Sequence, residues 1–292
     1  MKEYIECKLC PHECKVDRTK GVGRCRSDFK TKVALYNLHY YEEPCISGKN
    51  GSGTVFFSGC NLNCKYCQNY KISQNIVNNI VDSKSLADIF LKLQEMKANN
   101  INLVTGVIYI PEIIKAIKIA KDKGLNIPII YNSSGYESIE SLKMLDGYID
   151  VYLPDFKYYY DELGEDLSNI HNYSKFAKEA IKEMYRQVGN PQFYENGMIK
   201  KGIIVRHLIL PNHIRNTKMI LKWIKENLGR KTYISIMAQY FPTYKANETI
   251  DINRKITEEE LELVKSYLEE FDMENGYIQE IEEDEQKYVP NF

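Results

Sequence analysis

No cysteine occurs after residue 67 of this 292-residue chain. A disulfide or thiolate-held metal framework is therefore excluded from most of its length. Long apolar runs are also missing. The longest, INLVTGVIYIPEII (101–114), is short and interrupted by Pro111, so no membrane-spanning helix is expected. There is no excess of positive charge: the formal net charge is −1. That leaves no electrostatic reason to expect nucleic acid as a partner. The opening MKEYIECKLC lacks the apolar core of a secretory signal, and a cytoplasmic location is expected. No repeat of fixed period and no low-complexity segment is found.

Apolar residues make up 43% and charged residues 27%, a balance typical of a globular chain with a substantial core. The length fits one large domain or somewhat more. Residues 1–50 hold five of the eight cysteines and little periodic apolar pattern. They read as a cysteine-rich metal- or cluster-binding segment. From 51 to 292 strand and helix patterns alternate. TVFFSG (54–59), INLVTGV (101–107), IPIIYNS (127–133), IDVYLPD (149–155), GIIVRHLIL (202–210) and YISIMAQY (233–240) read as six strands. The spacing predicts helices between them. One carries Leu86, Ile89, Phe90, Leu93 and Met96 on one face; another starts at Pro111 and stops at Gly124. The last opens at Thr257 with Glu260 three residues on, a capping box. Six such units in series argue for a parallel α/β architecture. An open partial barrel and a flat doubly wound sheet both fit. In either, a site belongs at the C-terminal strand ends. The acidic stretch QEIEEDEQKY (279–288) is expected to be a solvated end.

The first strand runs straight into FFSGCNLNCKYCQNY (56–70), which places Cys60, Cys64 and Cys67 in one loop. An even cysteine count fits disulfides in a secreted chain; clustered cysteines without a signal segment fit metal better. A structural zinc site wants four protein ligands. A four-iron cubane held by only three cysteines keeps one iron open, which suits catalysis. Asn61, Leu62, Asn63 and Lys65 supply no soft fourth ligand.

At these residues the chain resembles the radical S-adenosylmethionine (radical SAM) superfamily, whose signature is C-x3-C-x2-C with an aromatic, here Tyr66, before the last cysteine. EEPCISG (42–48), IPIIYNSSGYES, DVYLPDFKY, RQVG, VRHLILP and MAQYFP extend the likeness, over nearly the whole chain, to the group homologous to pyruvate formate-lyase activating enzyme. The resemblance implies a partial (β/α)6 barrel with a cysteine-rich N-terminal extension. It implies a [4Fe–4S] cluster on Cys60, Cys64 and Cys67 and S-adenosylmethionine on the open iron. Reductive cleavage would give a 5′-deoxyadenosyl radical that takes a hydrogen from substrate. It further implies an electron donor such as flavodoxin or ferredoxin, and a glycyl-radical enzyme as one class of substrate beside small molecules and peptides. A non-catalytic electron carrier is the alternative of another class.

The same resemblance assigns cofactor contacts, each with a plainer reading. Tyr66 lies near the adenine, or fills the barrel mouth. Ser133 and Ser134 meet the methionine part, or cap the next helix. Asp155 and Lys157 form a D-x-K element, or an ordinary ion pair. Arg206 reaches the carboxylate or ribose, or pairs inside the barrel. His207 faces the opposite side of its strand and reads as a packed residue. Gln239 and Tyr240 end the sixth strand over the cofactor. One departure stands out. Where the group shows Pro-Thr-His after the second strand, this chain has Gly106-Val107-Ile108, so backbone carbonyls around Gly106 are expected to replace the missing polar side chains.

CKLCPHEC followed by GVGRC spaces Cys7, Cys10, Cys14 and Cys25 as a complete four-thiolate set, for a second cluster or for zinc. Gly21 and Gly23 permit tight turns there. His12 reads as a turn histidine or a substitute ligand. Cys45 is left over, as a core thiol, a further ligand or a catalytic thiol. GKNGSG (48–53) does not fit a P-loop and reads as a flexible turn, and the Asn172-Tyr173-Ser174 sequon has no use in a cytoplasmic protein.

Overall fold

Alternation along one strand organises the molecule. In GIIVRHLIL, Ile203 and Val205 pack with the helices, whereas Ile204 packs in a separate inner cluster. Because successive side chains point to opposite faces, Arg206 is directed inward with Ile204 and His207 outward. The computed structural model describes residues 2–281 and 289–290. Most of the acidic 279–288 stretch lies outside the described residues.

The strands are β1 (Val33–His39), β2 (Ser52–Phe57), β3 (Ile101–Val104), β4 (Ile129–Ser133), β5 (Val151–Pro154), β6 (Gln192–Phe193), β7 (Ile199–Leu208), β8 (Tyr233–Met237) and β9 (Gly276–Ile278). They join in the order β1-β2-β3-β4-β5-β7-β8-β9, with β6 hydrogen-bonded to β7. From β2 to β9 the main path is parallel; β1 pairs antiparallel with β2. Among the described residues no pairing joins β1 to β9, so the sheet stays open. It is nonetheless curled. Strands spaced about 4.8 Å apart would spread β2 to β8 over about 24 Å if flat, yet the C-terminal ends of β2, β3, β4, β7 and β8 line one cavity of about 220 Å³. This is the partial barrel, built from the six expected strands together with β1, β6 and β9.

Helices Ser83–Glu95, Ile110–Asp122, Ile139–Leu145, Tyr173–Val188, Ile214–Leu228 and Glu258–Glu270 follow β2, β3, β4, β5, β7 and β8 and cover the outer face. Glu258–Glu270 carries the expected capping box of Thr257 and Glu260. The inner face is closed by the short helix Pro44–Ser47, which seats Cys45 and Ile46 against Ile130, Val151, Leu153 and Ile204. Asn99 and Asn100 donate to the Ser47 and Ile46 carbonyls at 2.7 and 2.8 Å and hold this plug in place. Cys45 is therefore a thiol of the barrel floor, apart from both cysteine groups.

His207 is buried under helix Ile214–Leu228. Its Nδ1 donates to the Phe156 carbonyl at 2.7 Å and its Nε2 accepts from the Thr217 hydroxyl at 2.9 Å. Both contacts are satisfied by the neutral ring, and burial lowers the imidazole pKa to about 4. The folded state thus takes up this proton less readily than the unfolded chain, whose histidine titrates near 6.5. The associated stability is present above pH 6.5 and is lost as pH falls toward 4, by up to roughly 3 kcal/mol. The stability difference between wild type and His207→Gln, followed by thermal unfolding across this window, should shrink as pH falls.

Candidate functional site

The loop after β2 begins with a turn that only glycine fits well. Gly59 has φ +89, and a Cβ there would lie 2.4 Å from Ser27 Oγ and 3.3 Å from the Cys25 carbonyl. The N-terminal segment therefore presses directly on the residue before Cys60. The loop is strapped on its other side by two backbone bonds, Asn63 N to Ser168 O (3.1 Å) and Lys65 N to Leu167 O (2.8 Å). Cys60, Cys64 and Cys67 all open onto the cavity.

Each sulfur has a donor or hydroxyl against it. The Leu62 amide donates to Cys60 Sγ at 3.3 Å; Ser73 Oγ lies 3.2 Å from Cys67 Sγ; Ser168 Oγ donates to Cys64 Sγ at 2.9 Å. Behind Ser168 stand Tyr158 (OH to Oγ, 2.6 Å) and Tyr66 (OH to OH, 2.6 Å). A metal-bound thiolate can only accept, so it orients the whole chain: Tyr66 donates to Tyr158, Tyr158 to Ser168, Ser168 to Cys64. As free thiols the three are held neutral, because desolvation pushes all of them up, Cys64 to about 11. Loading iron must displace those protons. Three sulfurs on one wall of a polar cavity fit a cubane with one open iron. Among the described residues no three His, Cys, Asp or Glu side chains converge on a point that would hold a single metal ion.

Tyr66, Ser133, Ser134, Asp155, Lys157 and Arg206 all line this cavity. The Ser133 hydroxyl donates to Glu137 Oε1 at 2.6 Å. Burial raises that carboxyl to about 8 despite the hydroxyls of Ser133 and Tyr131 on it. Neither serine caps the next helix; Ser138 does. Lys157 Nζ is 2.7 Å from Asp155 Oδ2. Burial works against its charge, but Asp155 and the neighbouring Cys64 hold its ammonium above the ordinary lysine value. The Arg206 guanidinium is held by Glu42 and Glu43, at 3.0 Å each, so an inner ion pair occupies its fork. Gln239 lines the cavity, whereas Tyr240 is buried beside it, edge-on to Tyr66.

Several members of the site were not anticipated. Glu42 and Glu43 arrive with the plug, and Glu42 Oε1 accepts from Asn102 at 3.0 Å. Thr105, not Gly106, is the polar residue at the end of β3: it lines the cavity in a left-handed conformation, φ +61. That conformation is costly for a β-branched residue. Gly106 instead faces the outer, helix-covered layer, where a Cβ would meet Ile113, Tyr131 and Phe57, and its carbonyl accepts from the Tyr109 amide. A threonine ahead of a glycine at a strand end was the available signal. His12 takes a buttressing place, with Nε2 2.7 Å from the Asn61 carbonyl.

The chain matches the family model described as the radical SAM superfamily over residues 54–190. It is 34% identical over 285 residues to an uncharacterized protein of Methanocaldococcus jannaschii, covering 94% of this chain and 77% of that one. Among solved structures it is similar to the FeFe-hydrogenase maturase HydG from Carboxydothermus hydrogenoformans (TM-score 0.53, 13% identity, 78% of this chain and 52% of HydG). It is also similar to methylornithine synthase, PylB (TM-score 0.50, 14% identity, 75% and 68%). A third is Streptococcus suis SuiB bound to precursor peptide SuiA (TM-score 0.50, 12% identity, 76% and 46%). The chain spans about half the length of HydG and SuiB. At these identities the likeness is one of fold.

Hydrogen bonds to cluster thiolates favour the more negative, reduced state. Ser168→Ala is expected to shift the potential of the cluster on Cys60, Cys64 and Cys67 to more negative values, and Tyr158→Phe to shift it less in the same direction. Redox titration followed by electron paramagnetic resonance checks both.

Proposed function

The chain belongs to the radical SAM superfamily, and from that premise we propose that it cleaves S-adenosylmethionine reductively and removes a hydrogen atom from a substrate. The observation that carries this reading is the opening of Cys60, Cys64 and Cys67 onto the same cavity as the polar ends of β3, β4, β5 and β7. When bound, a [4Fe–4S] cluster supplies the electron that splits the sulfonium. The residues of the chain do the rest. Asp155 and Glu42 face Lys157 and Arg206 around the cavity, so its wall is polar and close to charge-balanced. Tyr66 offers a ring face to an adenine, Ser134 and Thr105 offer hydroxyls to the methionine part, and the Asp155–Lys157 pair offers both a donor and an acceptor. Arg206 is read as the residue that fixes Glu42 in the wall.

The finer reading is that the hydrogen donor belongs to a partner protein, such as a backbone glycine of a glycyl-radical enzyme. The donor would approach across the mouth of the cavity, whose lining includes Tyr41, 48% exposed. A flavodoxin or ferredoxin is the expected source of the electron.

The test is anaerobic reconstitution, reduction and addition of S-adenosylmethionine to wild type and to Cys64→Ala. Wild type should form 5′-deoxyadenosine and the variant should not. Full iron loading without any product would leave an electron carrier as the better description. A purified complex in which the partner gains a glycyl radical supports the protein-substrate reading; turnover with a small molecule alone removes it.

A further inference from the structure

Arg18 is fully buried, at 0% exposure, and among the described residues no carboxylate pairs with it. Its Nε donates to the Ser27 carbonyl at 3.1 Å, and its Nη1 donates to the Ile108 carbonyl at 2.8 Å and lies 3.8 Å from Cys7 Sγ. The guanidinium stacks over the Tyr4 ring at 5.0 Å and the Tyr109 ring at 5.9 Å. Carbonyls and rings stabilise a cation, but they do not neutralise it. An isolated buried charge is among the costliest things a fold can hold. The neighbours that favour its charge are Cys25 and Cys7. Neutral thiols would not serve; thiolates bound to metal would.

The other two N-terminal cysteines complete the group. Cys7, Cys10 and Cys25 are buried and Cys14 is half-buried. Cys10 lies near Cys25 and Cys7, and Cys25 near Cys7 and Cys14; at Gly23 a Cβ would sit 3.4 Å from both Cys14 Sγ and Cys25 Sγ. Glycine thus leaves open the space between two of the sulfurs. Zinc draws four sulfurs in to about 2.3 Å from one point. Four thiolates suit an iron–sulfur cluster equally, and a cluster rather than zinc gives a position next to the first site a use in one-electron chemistry.

We infer that Cys7, Cys10, Cys14 and Cys25 hold a second iron–sulfur cluster and that Arg18 is its buried counter-ion. The site lies directly behind the first. Arg26, beside Cys25, donates to the Ser73 carbonyl at 2.9 Å, and the hydroxyl of the same Ser73 is the one against Cys67. The inference does not rest on cofactor cleavage, and its test is independent of it.

The full chain carrying Cys60→Ala, Cys64→Ala and Cys67→Ala, prepared without oxygen, is assayed for iron, sulfide and zinc. Iron and acid-labile sulfide should remain, with a reducible cluster signal. Stoichiometric zinc, or no metal, would overturn the assignment. On the same background Arg18→Met should move the cluster potential to more negative values, and Arg18→Lys should restore most of the difference. Equal potentials in all three would remove Arg18 as counter-ion, even where cluster yield falls. If Arg18→Met does not fold, the metal content of the triple variant still decides the site, and Arg18→Lys against its parent still reads the charge.

Discussion

A guanidinium on the inner face of a parallel sheet sets conditions on everything around it. Arg206 is inward because β7 alternates, and a charge inside a barrel cannot stand alone. Glu42 and Glu43 meet it, and they reach it only if the segment after β1 turns into the barrel. That turn carries Cys45 and Ile46 to the floor and leaves Glu42 in the cavity wall. Losing one member of such a buried set generally costs about 3–5 kcal/mol, because the rest are left uncompensated. The pair thus joins the plug, the cavity floor and the β7 register in one interaction.

Above that floor, the cavity is polar where a cofactor would lie and hydroxyl-rich where sulfur lies. The hydrogen bonds to Cys60, Cys64 and Cys67 come from three separate places: the loop itself, the end of the short helix Tyr70–Ser73 and the end of the helix Asp161–Ser168. Only the last extends to tyrosines, so Cys64 is tied to the barrel mouth through Tyr66 in a way the other two are not. The loop is held from front and back. Leu167 and Ser168 grip its outer turn, and Cys25 and Ser27 press on Gly59.

Much of the architecture was legible because parallel strands read as buried apolar runs and helices as 3.6-period faces. The six strands, the capping box at Thr257 and the placement of three cysteines at a strand end are all local signals. β1 was missed because it sits among cysteines and is an edge strand, half-exposed along most of its length. β6 and β9 span only two and three residues, too short for a period to show. The contacts that make the site were invisible for another reason. Ser168 and Cys64 are 104 residues apart, and Arg18 and Ile108 are 90 apart; no local pattern carries such a pairing. Arg206 was noticed as a charge in an apolar run, but its partners were not, since Glu42 and Glu43 look like ordinary surface acids. At the end of β3 the left-handed residue is Thr105, one position before Gly106, a backbone strain that its residue type does not announce.

The contact at Gly59 has a consequence for how this protein can vary. The first 50 residues look like an appendage that a designer could trim to obtain a minimal barrel. They supply the outer strand β1, the barrel plug and the surface against which the cluster loop is cast. Trimming them would leave β2 as a bare edge and the loop without its backing. Swapping them between relatives would require matching Gly59, Ser27 and Cys25 together. The N-terminal segment and the barrel are therefore one inheritable unit, and any interchange of parts has to cut elsewhere.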